Sequence, residues 1–385
     1  MTDSPAYNLL LISGDSSVAR GVEGAFARTL ARFARHWARV DVLTPTAPGA
    51  SPRQLGDNVY VHPAPLHRLA QPLFIRQKGA ALLAERDYHL VASTDYGFFY
   101  NGLGAWWLAR GRGIPWVSEI HHVEGWPLAL TLREKLWRQA ALRYLPWAAR
   151  RVAVFRVVNN GDAPALLRQL GVPESKILVL PALYLDLETF RPLPDTLKQY
   201  DALFVGRLAA NKGLPLLLQA ARLAAARRPG FTLALRGDGP LRAWAESFIA
   251  HNGLQTNILF VPRAADAAAL ARLYNAARLL VCASTVEGGP RVTVEAMACG
   301  VPVLTTPVGI MPEIITSGVN GVLVERDPAA LAAHLLDLLA DDAQRARLGE
   351  AGRQAVQRFE ADAMVAQYAQ GYHALIERSR SAAHA

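Results

Sequence analysis

Short apolar runs alternate with amphipathic segments through the first half of the chain. Apolar runs bounded by polar or glycine-containing loops are typical of buried strands, and they occur at residues 7–13, 40–43, 58–61, 90–93, 116–120, 152–158 and 177–180. Helices are predicted from near residue 21 and at residues 76–85, 103–110 and 163–170. Strands and helices that alternate at this spacing predict parallel β-α-β units, and therefore a doubly wound sheet.

The second half repeats this pattern after a proline-rich connector at residues 181–194. Strands are predicted at residues 201–205, 231–236, 258–261, 278–283, 302–305 and 321–324, helices at 214–226, 241–252 and 267–276, and a helical tail beyond Pro328. We therefore predict an α/β protein with two Rossmann-like, doubly wound domains that face a central cleft. The predicted bounds are 1–188 and 189–365, followed by a C-terminal helix over 366–385 that packs back on the first domain.

The composition is that of a globular protein with room for two hydrophobic cores. Of the 385 residues, 51% are apolar and 19% are charged, which excludes an intrinsically disordered chain. No apolar run is long enough to span a bilayer, and polar residues lead straight into the first strand, so we expect a cytoplasmic protein. Cys282 and Cys299 fall in a predicted strand and the helix after it, as expected for buried free thiols.

The stretch from Glu287 to Glu295 carries the strongest chemical signature. A buried strand runs into Gly288, Gly289 and Pro290, and a helix follows. The glycines let a ligand approach the backbone, and the free N–H groups at the start of the helix favour an anion. Carboxylates on both sides of this anion site are suited to bind hydroxyl groups. A phosphate between two polyols describes a sugar nucleotide, although each carboxylate taken singly also fits a surface charge or a helix-dipole partner.

Three further loops of the second half follow predicted strands. They contain Gly206, Arg207 and Lys212; Gly237 and Asp238; and Pro307, Val308 and Gly309. Because the carboxyl ends of parallel strands share one edge of a sheet, these loops are expected beside the Glu287 stretch. Two fixed cations near a glycine-rich turn suit a diphosphate, whereas either cation alone is as readily a solvated loop charge. The sequence has no metal-ligand spacing, P-loop or dinucleotide fingerprint, so no metal and no cofactor is expected.

In the first half, His121 and Glu124 follow the predicted strand at 116–120. Neighbouring residues of an extended chain point in opposite directions, so at most one of His121 and His122 faces the cleft. A structural histidine and a ligand-contacting histidine are equally compatible with this position.

Two segments of the first half combine basic and aromatic residues. In segment 130–151 a single acid, Glu134, accompanies Arg133, Lys135, Arg138, Arg143, Arg150, Arg151, Trp137, Tyr144 and Trp147. This pattern predicts peripheral contact with an anionic membrane surface, with Trp137 and Trp147 at the interface. In the helix near residue 21 we expect the apolar stripe to pack on the sheet, its members being Phe26, Leu30, Phe33 and Trp37. Nucleic acid explains the net charge of +9 less well, because no recognised binding motif accompanies it.

Over nearly its whole length, the sequence resembles the retaining glycosyltransferases of family four. This is the glycogen-synthase-like branch of the twin-Rossmann B fold, also known as glycosyl transferases group 1. The resemblance is strongest between Phe204 and Val324. The E-x7-E signature of the family stands here as Glu287 and Glu295, and its phosphate motif stands as Gly206-Arg207 with Lys212.

The resemblance implies a role for each matching residue. Arg207 and Lys212 would hold the diphosphate of a nucleotide-sugar donor, Glu287 would contact its sugar, and Glu295 its ribose. The implied donor-binding residues are Gly206, Arg207, Lys212, Gly237, Asp238, Arg263, Glu287, Gly288, Gly289, Pro290 and Glu295. The implied catalytic residues are His121, near the reacting sugar carbon, with Glu287, Arg207 and Lys212. The acceptor would be bound by the first domain, at Arg20, Gly21, His121 and Glu124.

Two loops depart from the family pattern. Arg20 precedes Gly21 where the family usually carries a glycine pair, and Gly309-Ile310 stands in place of a second pair. The contacts predicted for these two loops therefore differ in detail from those of the family.

The implied reaction is sugar transfer with retained anomeric configuration to a glycan or lipid-linked acceptor. Lipopolysaccharide, exopolysaccharide or glycolipid assembly at the cytoplasmic face of the inner membrane would fit it. We expect front-face attack, because no pair of carboxylates supports a covalent intermediate. A non-catalytic sugar-nucleotide or glycan-binding protein, a sugar-nucleotide epimerase and a phosphorylase are the alternatives on the same scaffold.

Overall fold

Each half of the chain forms its own parallel sheet in the computed structural model, which describes residues 7–65, 67–129 and 131–384. The chain divides into unit 1, Met1–Tyr184 with Asp362–Ala385, and unit 2, Leu185–Ala361. The bounds predicted from the sequence, at 188/189 and 365/366, lie four residues later along the chain. The chain therefore leaves unit 1, builds unit 2 and returns to unit 1.

The described part of unit 1 contains an eight-stranded sheet. Its strands are β1 (Asn8–Ile12), β2 (Arg39–Thr44), β3 (Arg53–Leu55), β4 (Val59–Pro63), β5 (Leu90–Thr94), β6 (Trp116–Ile120), β7 (Val154–Val157) and β8 (Ile177–Val179). Their order is β3-β4-β2-β1-β5-β6-β7-β8, with all neighbouring pairs parallel except β3 and β4. The edge strand β3 was absent from the sequence prediction, because its three mostly exposed residues form no apolar run.

Helices cover both faces of this sheet. They are α1 (Ala25–Ala34), α2 (Gln71–Glu85), α3 (Tyr100–Ala109), α4 (Leu132–Ala149) and α5 (Asp162–Gln169). The apolar stripe predicted to pack on the sheet does so: Leu30 and Phe33 of α1 are buried in the core together with Trp37, which follows the helix.

The aromatic residues of the segment 130–151 divide between core and surface. Tyr144 is buried and donates a hydrogen bond to Asp95 at 2.8 Å. Trp147 packs edge-on against Trp106, with ring centroids 5.1 Å apart, and joins the core. Trp147 is thus partly buried, and its predicted position at a membrane interface stays a prediction. Leu130, the first residue of the segment, lies outside the described residues.

Unit 2 repeats the doubly wound pattern with a six-stranded sheet in its described residues. The strands are β9 (Tyr200–Val205), β10 (Leu233–Arg236), β11 (Ile258–Val261), β12 (Ala277–Cys282), β13 (Val303–Thr305) and β14 (Val322–Leu323). They lie in the order β11-β10-β9-β12-β13-β14 and all neighbouring pairs are parallel. The predicted α/β class with two doubly wound sheets is thus confirmed.

The helices of unit 2 complete this pattern. They are α6 (Leu214–Arg227), α7 (Arg242–His251), α8 (Ala267–Asn275), α9 (Arg291–Ala298), α10 (Met311–Ile314), α11 (Pro328–Ala340) and α12 (Asp342–Val356). Cys282 at the end of β12 and Cys299 just after α9 are buried free cysteines, as predicted. No helix within the described ranges has both the length and the apolar character needed to cross a membrane.

The chain returns to unit 1 through α13 (Ala361–His384). Val365, Tyr372 and Ile376 of this helix are buried in the same core as β1 and α1. The helix therefore covers one face of the first sheet, although it follows the whole of unit 2 in sequence.

A buried polar cluster, which we call the Glu119 cluster, fastens α13 to the sheet. Glu119 on β6 accepts hydrogen bonds from Arg156 on β7 at 3.1 Å and from the Tyr372 hydroxyl at 2.5 Å, and it also contacts the Tyr368 hydroxyl. The Arg156 guanidinium lies 3.8 Å from the centre of the Tyr368 ring. Burial alone would raise the pKa of Glu119, but the Arg156 charge and the tyrosine hydroxyls outweigh it and hold the pKa at about 2. The cluster is thus a buried ion pair with hydrogen bonds from α13.

Candidate functional site

The sheet of unit 2 has a topological switch point between β9 and β12. From this pair, β10 and β11 extend to one side, and β13 and β14 extend to the other. Open α/β sheets bind ligands outside the carboxyl ends of the strands at such a point. The loops that leave there are 206–213 after β9 and 283–290 after β12, flanked by 237–241 after β10 and 306–310 after β13.

Backbone hydrogen bonds join these four loops to one another. Thr285 N donates to Asn211 O at 2.9 Å, and Leu208 N donates to Asp238 O at 2.9 Å. Ile310 N donates to Gly288 O at 3.1 Å. The backbone of each loop is thus held by its neighbour, which positions the side chains that the loops carry at one edge of the sheet.

Gly213 explains why the first loop can approach β12 so closely. Its φ is +68°, and a Cβ atom at this position would lie 1.7 Å from the carbonyl oxygen of Ala283. Only glycine fits both the left-handed conformation and the contact. The preceding residue, Lys212, is thereby brought to the carboxyl end of β12.

Lys212 and Glu287 meet at the switch point. The Lys212 ammonium group contacts Glu287 Oε1, and Ser284 Oγ donates to the same oxygen at 3.1 Å. The side chains are 27% and 16% exposed, so the pair is partly shielded but still open to a ligand. Two residues chosen from the sequence for separate roles on one substrate are therefore in direct contact.

Arg207 belongs to the same loop as Lys212 but has no ion-pair partner among the residues that the structure describes. It is exposed, and its stem runs beside Gly239, where a Cβ atom would lie 3.0 Å from Arg207 Cγ. The loop after β9 thus carries two cations, Arg207 and Lys212, and within the described residues Lys212 has a carboxylate partner whereas Arg207 has none. That balance favours an anionic ligand.

Glu295 lies one turn into α9 and is 3% exposed. Tyr274 donates to Glu295 Oε2 at 2.9 Å, and Arg291 donates to Oε1 at 2.7 Å. Both oxygens thus have protein partners, and neither partner was singled out from the sequence. For Arg291, the available sequence signal was its position four residues before Glu295 on a predicted helix. The ribose contact suggested for Glu295 stays a prediction.

The other predicted donor-site residues shape the backbone or lie at the rim. Gly237 lets its loop pass Gly206, because a Cβ atom there would lie 1.8 Å from the Gly206 carbonyl oxygen. Asp238 is exposed and accepts a hydrogen bond from Gly239 N at 2.8 Å. Pro290 is the residue immediately before α9, and its side chain makes no capping hydrogen bond to the helix. Arg263 is exposed after β11, two strands away from β9.

In unit 1, His121 follows β6 immediately. Its Nε2 atom is buried and has no hydrogen-bond partner within the described ranges. Burial, reinforced by the positive charge of Arg156, lowers the pKa of His121 to about 4. The imidazole is therefore neutral at physiological pH, and its contact with a sugar stays a prediction.

The remaining predicted acceptor residues lie on loops at the carboxyl ends of the first sheet. Arg20 ends a 3₁₀ turn, Val18–Arg20, and is exposed. Gly21 follows with φ of +74°, beside the Arg53 guanidinium. Glu124 Oε2 accepts a hydrogen bond from Gly97 N at 3.0 Å, which joins the loops after β6 and β5. Their contacts with an acceptor stay predictions.

Asp95 is a candidate that the sequence reasoning missed. It follows β5 at the switch point of the first sheet, and it accepts hydrogen bonds from Ser118 Oγ at 2.5 Å and from Tyr144 at 2.8 Å. Burial raises the pKa of Asp95 to about 7, so this carboxyl group exchanges its proton near neutral pH. A carboxylate directly after a buried strand was the available signal.

No group of three or more metal-binding side chains occurs in the ranges that the structure covers. A metal-free reaction stays an expectation.

Two protein-family models match the chain in succession. The model described as glycosyl transferase 4-like domain matches residues 20–182, and the model described as glycosyl transferases group 1 matches residues 186–355. The first match falls within unit 1, and the second falls within unit 2.

Two relatives show the similarity of this chain to named glycosyltransferases. The chain is 32% identical over 310 residues to the D-inositol 3-phosphate glycosyltransferase of Arthrobacter sp., a match covering 76% of this chain and 72% of that protein. It is 34% identical over 158 residues to the uncharacterized glycosyltransferase MJ1178 of Methanocaldococcus jannaschii. The latter match covers 41% of this chain and spans less than half, 43%, of the length of the relative.

Solved structures match the fold over nearly the whole chain. Sucrose-phosphate synthase of Thermosynechococcus elongatus superposes with a TM-score of 0.81 at 24% identity, covering 97% of this chain and 100% of that one. HepE of Anabaena, solved with UDP-glucose, gives a TM-score of 0.74 at 20% identity, covering 96% and 100%. At these identities the likeness concerns the fold.

Proposed function

The chain belongs to the group 1 glycosyltransferases of the twin-Rossmann B fold, and from this premise we propose that it moves a sugar from a nucleotide-diphosphate donor to a glycan or lipid-linked acceptor with retention of configuration. The observation that carries the proposal is the Lys212–Glu287 contact at the switch point of unit 2, with Arg207, which has no ion-pair partner among the described residues, on the same loop as Lys212. A cation pair and a carboxylate held on mutually bonded loops suit a diphosphate joined to a sugar.

The donor is proposed to lie across the carboxyl ends of β9 and β12. Arg207 and Lys212 hold the diphosphate, and the Glu287 carboxylate accepts a hydrogen bond from a sugar hydroxyl. A UDP-sugar is the donor that we favour, since HepE, with the same fold, was solved with UDP-glucose. His121 of unit 1, which its lowered pKa keeps neutral, is the histidine to which we assign a catalytic role.

The proposed reaction forms one bond and breaks one. The acceptor hydroxyl oxygen bonds to the anomeric carbon while the bond from that carbon to the donor phosphate oxygen breaks. The hydroxyl proton passes to the departing diphosphate, whose charge Arg207 and Lys212 stabilise. Because attack and departure occur on the same face of the sugar, the configuration is retained without a covalent intermediate.

A polyol phosphate is the second acceptor class considered. It is favoured by the relatives named D-inositol 3-phosphate glycosyltransferase, of which the Arthrobacter protein is one. Product analysis with a lipid-linked sugar and with inositol phosphate as competing acceptors separates the two classes.

We expect a UDP-sugar to stabilise the chain more than a GDP- or ADP-sugar does. A ligand present at about 100 times its Kd adds roughly 2.7 kcal/mol, which raises the melting midpoint of a domain of this size by roughly 5–10 °C. Differential scanning calorimetry with UDP-, GDP- and ADP-glucose measures the shift, with the Arg207→Ala/Lys212→Ala variant as the control that should not respond. Equal, negligible shifts with all three sugars would contradict a nucleotide-sugar site.

We also propose that unit 1 associates peripherally with an anionic membrane surface. Large apolar side chains are exposed in or just before α2, α3 and α4, and they form what we call the apolar patch: Leu69, Leu73, Phe98, Leu103, Trp107, Leu128, Leu132 and Leu136. Arginines lie over one aromatic ring of the patch and over the partly exposed Trp137 of α4: Arg76 is 4.3 Å from Trp107, and Arg133 is 4.0 Å from Trp137. Exposed apolar residues ringed by cations suit a bilayer that carries anionic headgroups.

The Leu132→Glu/Leu136→Glu variant should bind anionic vesicles at least about tenfold more weakly than the unaltered chain, because it loses apolar burial and adds repulsion. Sedimentation with phosphatidylglycerol vesicles at low salt measures the bound fraction. Leu197→Glu, at an exposed leucine of unit 2, is the matched control and should leave binding unchanged. If the two variants bind alike, or if the unaltered chain stays in the supernatant, the membrane proposal fails.

A further inference from the structure

A cavity of about 440 Å³ opens at the amino-terminal edge of the first sheet. It lies between the end of α2, the segments that precede β5 and β6, and the last turns of α13. We call it the basic cavity because of four lining residues, Arg86, Arg112, Arg380 and His89. The strands run away from it, so β5 and β6, of five residues each, separate it from Asp95 and His121.

The arginines of the basic cavity are poorly matched by carboxylates. Asp87 is the acidic lining residue, against three guanidinium groups. The closest carboxylate contact of those groups within the described ranges is 3.9 Å, from Arg86 to Glu85. Arg86 Nε is buried and has no partner there, while Arg112 donates to the Leu108 carbonyl oxygen at 2.5 Å. Three arginines from separate parts of unit 1 thus line one cavity with more positive than negative charge.

The positive charge of the basic cavity affects the protonation of His89. Its Nδ1 atom accepts a hydrogen bond from Asn8 N at 3.0 Å, so the neutral ring carries its proton on Nε2. Burial, followed by the positive charge of Arg380, lowers the pKa of His89 below its usual value. A second cation is therefore unfavourable in the cavity, whereas an anion is favourable.

We propose that the basic cavity binds a small molecule bearing multiply charged phosphate, at a site separate from the transferase site. Planar guanidinium groups bind tetrahedral oxyanions through paired hydrogen bonds, and three of them match a ligand with two or more negative charges. A volume of about 440 Å³ holds a phosphorylated metabolite of moderate size. Its distance along the strands from the reactive end of the sheet makes the ligand a regulator, not a substrate.

The ligand also connects α13 to the body of unit 1. Arg380 is on α13, whereas Arg86 and Arg112 are on the ends of other elements. An anion shared by these arginines fastens the far end of α13, as the Glu119 cluster fastens its middle. Binding is therefore expected to stabilise unit 1.

The test uses pyrophosphate and inorganic phosphate with the full chain carrying Arg207→Ala and Lys212→Ala, so that the donor site does not contribute. Isothermal titration at constant ionic strength should show saturable pyrophosphate binding, and Arg112→Gln or Arg380→Gln should each weaken it by about tenfold or more. Arg378→Gln, an exposed arginine of the same helix, is the matched control and should leave the affinity unchanged. In an NMR titration, pyrophosphate should raise the pKa of His89.

Three results would overturn the proposal. One is the absence of saturable binding below about 10 mM pyrophosphate, the range of non-specific contacts. Another is equal weakening by Arg378→Gln, which would indicate general electrostatic attraction. The third is unchanged affinity in both cavity variants. Each result is independent of the transferase reaction, since the test is made without a working donor site.

Discussion

Replacing Arg207 by alanine should lower kcat/KM for sugar transfer by roughly 10²–10³-fold, with no change in melting midpoint. The guanidinium is exposed and has no ion-pair partner in the described structure, so its loss breaks no salt bridge. It removes a charge that stabilises the departing diphosphate, and such a factor corresponds to roughly 3–4 kcal/mol of transition-state stabilisation. Initial rates with a UDP-sugar and a competent acceptor measure the effect.

Lys212→Ala should cause a loss of similar size for a different reason. It removes the second cation and also leaves Glu287 without its partner, so both the diphosphate and the sugar contacts suffer. Arg227→Ala, at the exposed end of α6, alters charge on the helix that follows the same loop and should keep activity within about twofold. Near-normal turnover in both Arg207→Ala and Lys212→Ala would refute the proposed diphosphate site.

The second large effect concerns stability. Glu119→Gln should destabilise unit 1 by about 3–5 kcal/mol, because it leaves the Arg156 guanidinium buried without a counter-charge. Urea unfolding followed by tryptophan fluorescence suits the measurement, since only Trp244 of the eight tryptophans lies in unit 2. Low pH should have a related effect: the pKa of Glu119 is lowered to about 2, so its contribution is present above about pH 4.5 and lost as the pH falls towards 2.

Two companion variants make this prediction specific to the buried pair. Glu119→Gln/Arg156→Met removes both charges and should recover part of the lost stability. Glu174→Gln breaks the exposed pair between Arg168 and Glu174, 2.7 Å apart, and should leave the stability nearly unchanged, because water screens this pair. A loss in Glu119→Gln no larger than that of the exposed pair would show that the buried charge needs no partner.

The strand pattern of both sheets could be predicted to within a few residues, because buried parallel strands are near-continuous apolar runs. The predicted strand at 116–120 coincides with β6, and the one at 258–261 coincides with β11. The short elements β3 and α10 were not predicted, because three or four residues contain too little periodicity to be distinguished from loops. Their placement depends on neighbours that are distant in the sequence.

Some features of the candidate site could likewise be predicted from local sequence, whereas others depend on tertiary contacts. The association of Lys212 with Glu287 followed from loops at neighbouring strand ends, which the order of the strands places at one edge. The raised pKa of Asp95 is caused by burial, which outweighs the opposing effect of hydroxyl groups from β6 and α4, so no local sequence pattern predicts it. The pairing of Glu119 with Tyr368 spans 249 positions and was equally out of reach.

Because α13 packs on the first sheet but follows unit 2 in sequence, the folding of unit 1 cannot be completed until the end of the chain has been synthesised. All strands of that sheet are synthesised by residue 179, yet one face lacks its covering helix until residues 361–384 emerge. The intervening 177-residue stretch, from Leu185 to Ala361, has its own core and can collapse first. Until α13 is made, the strands of unit 1 expose apolar surface to solvent, and chaperones would bind at this stage. A premature stop codon before α13 would therefore damage unit 1, the part of the protein that is synthesised first.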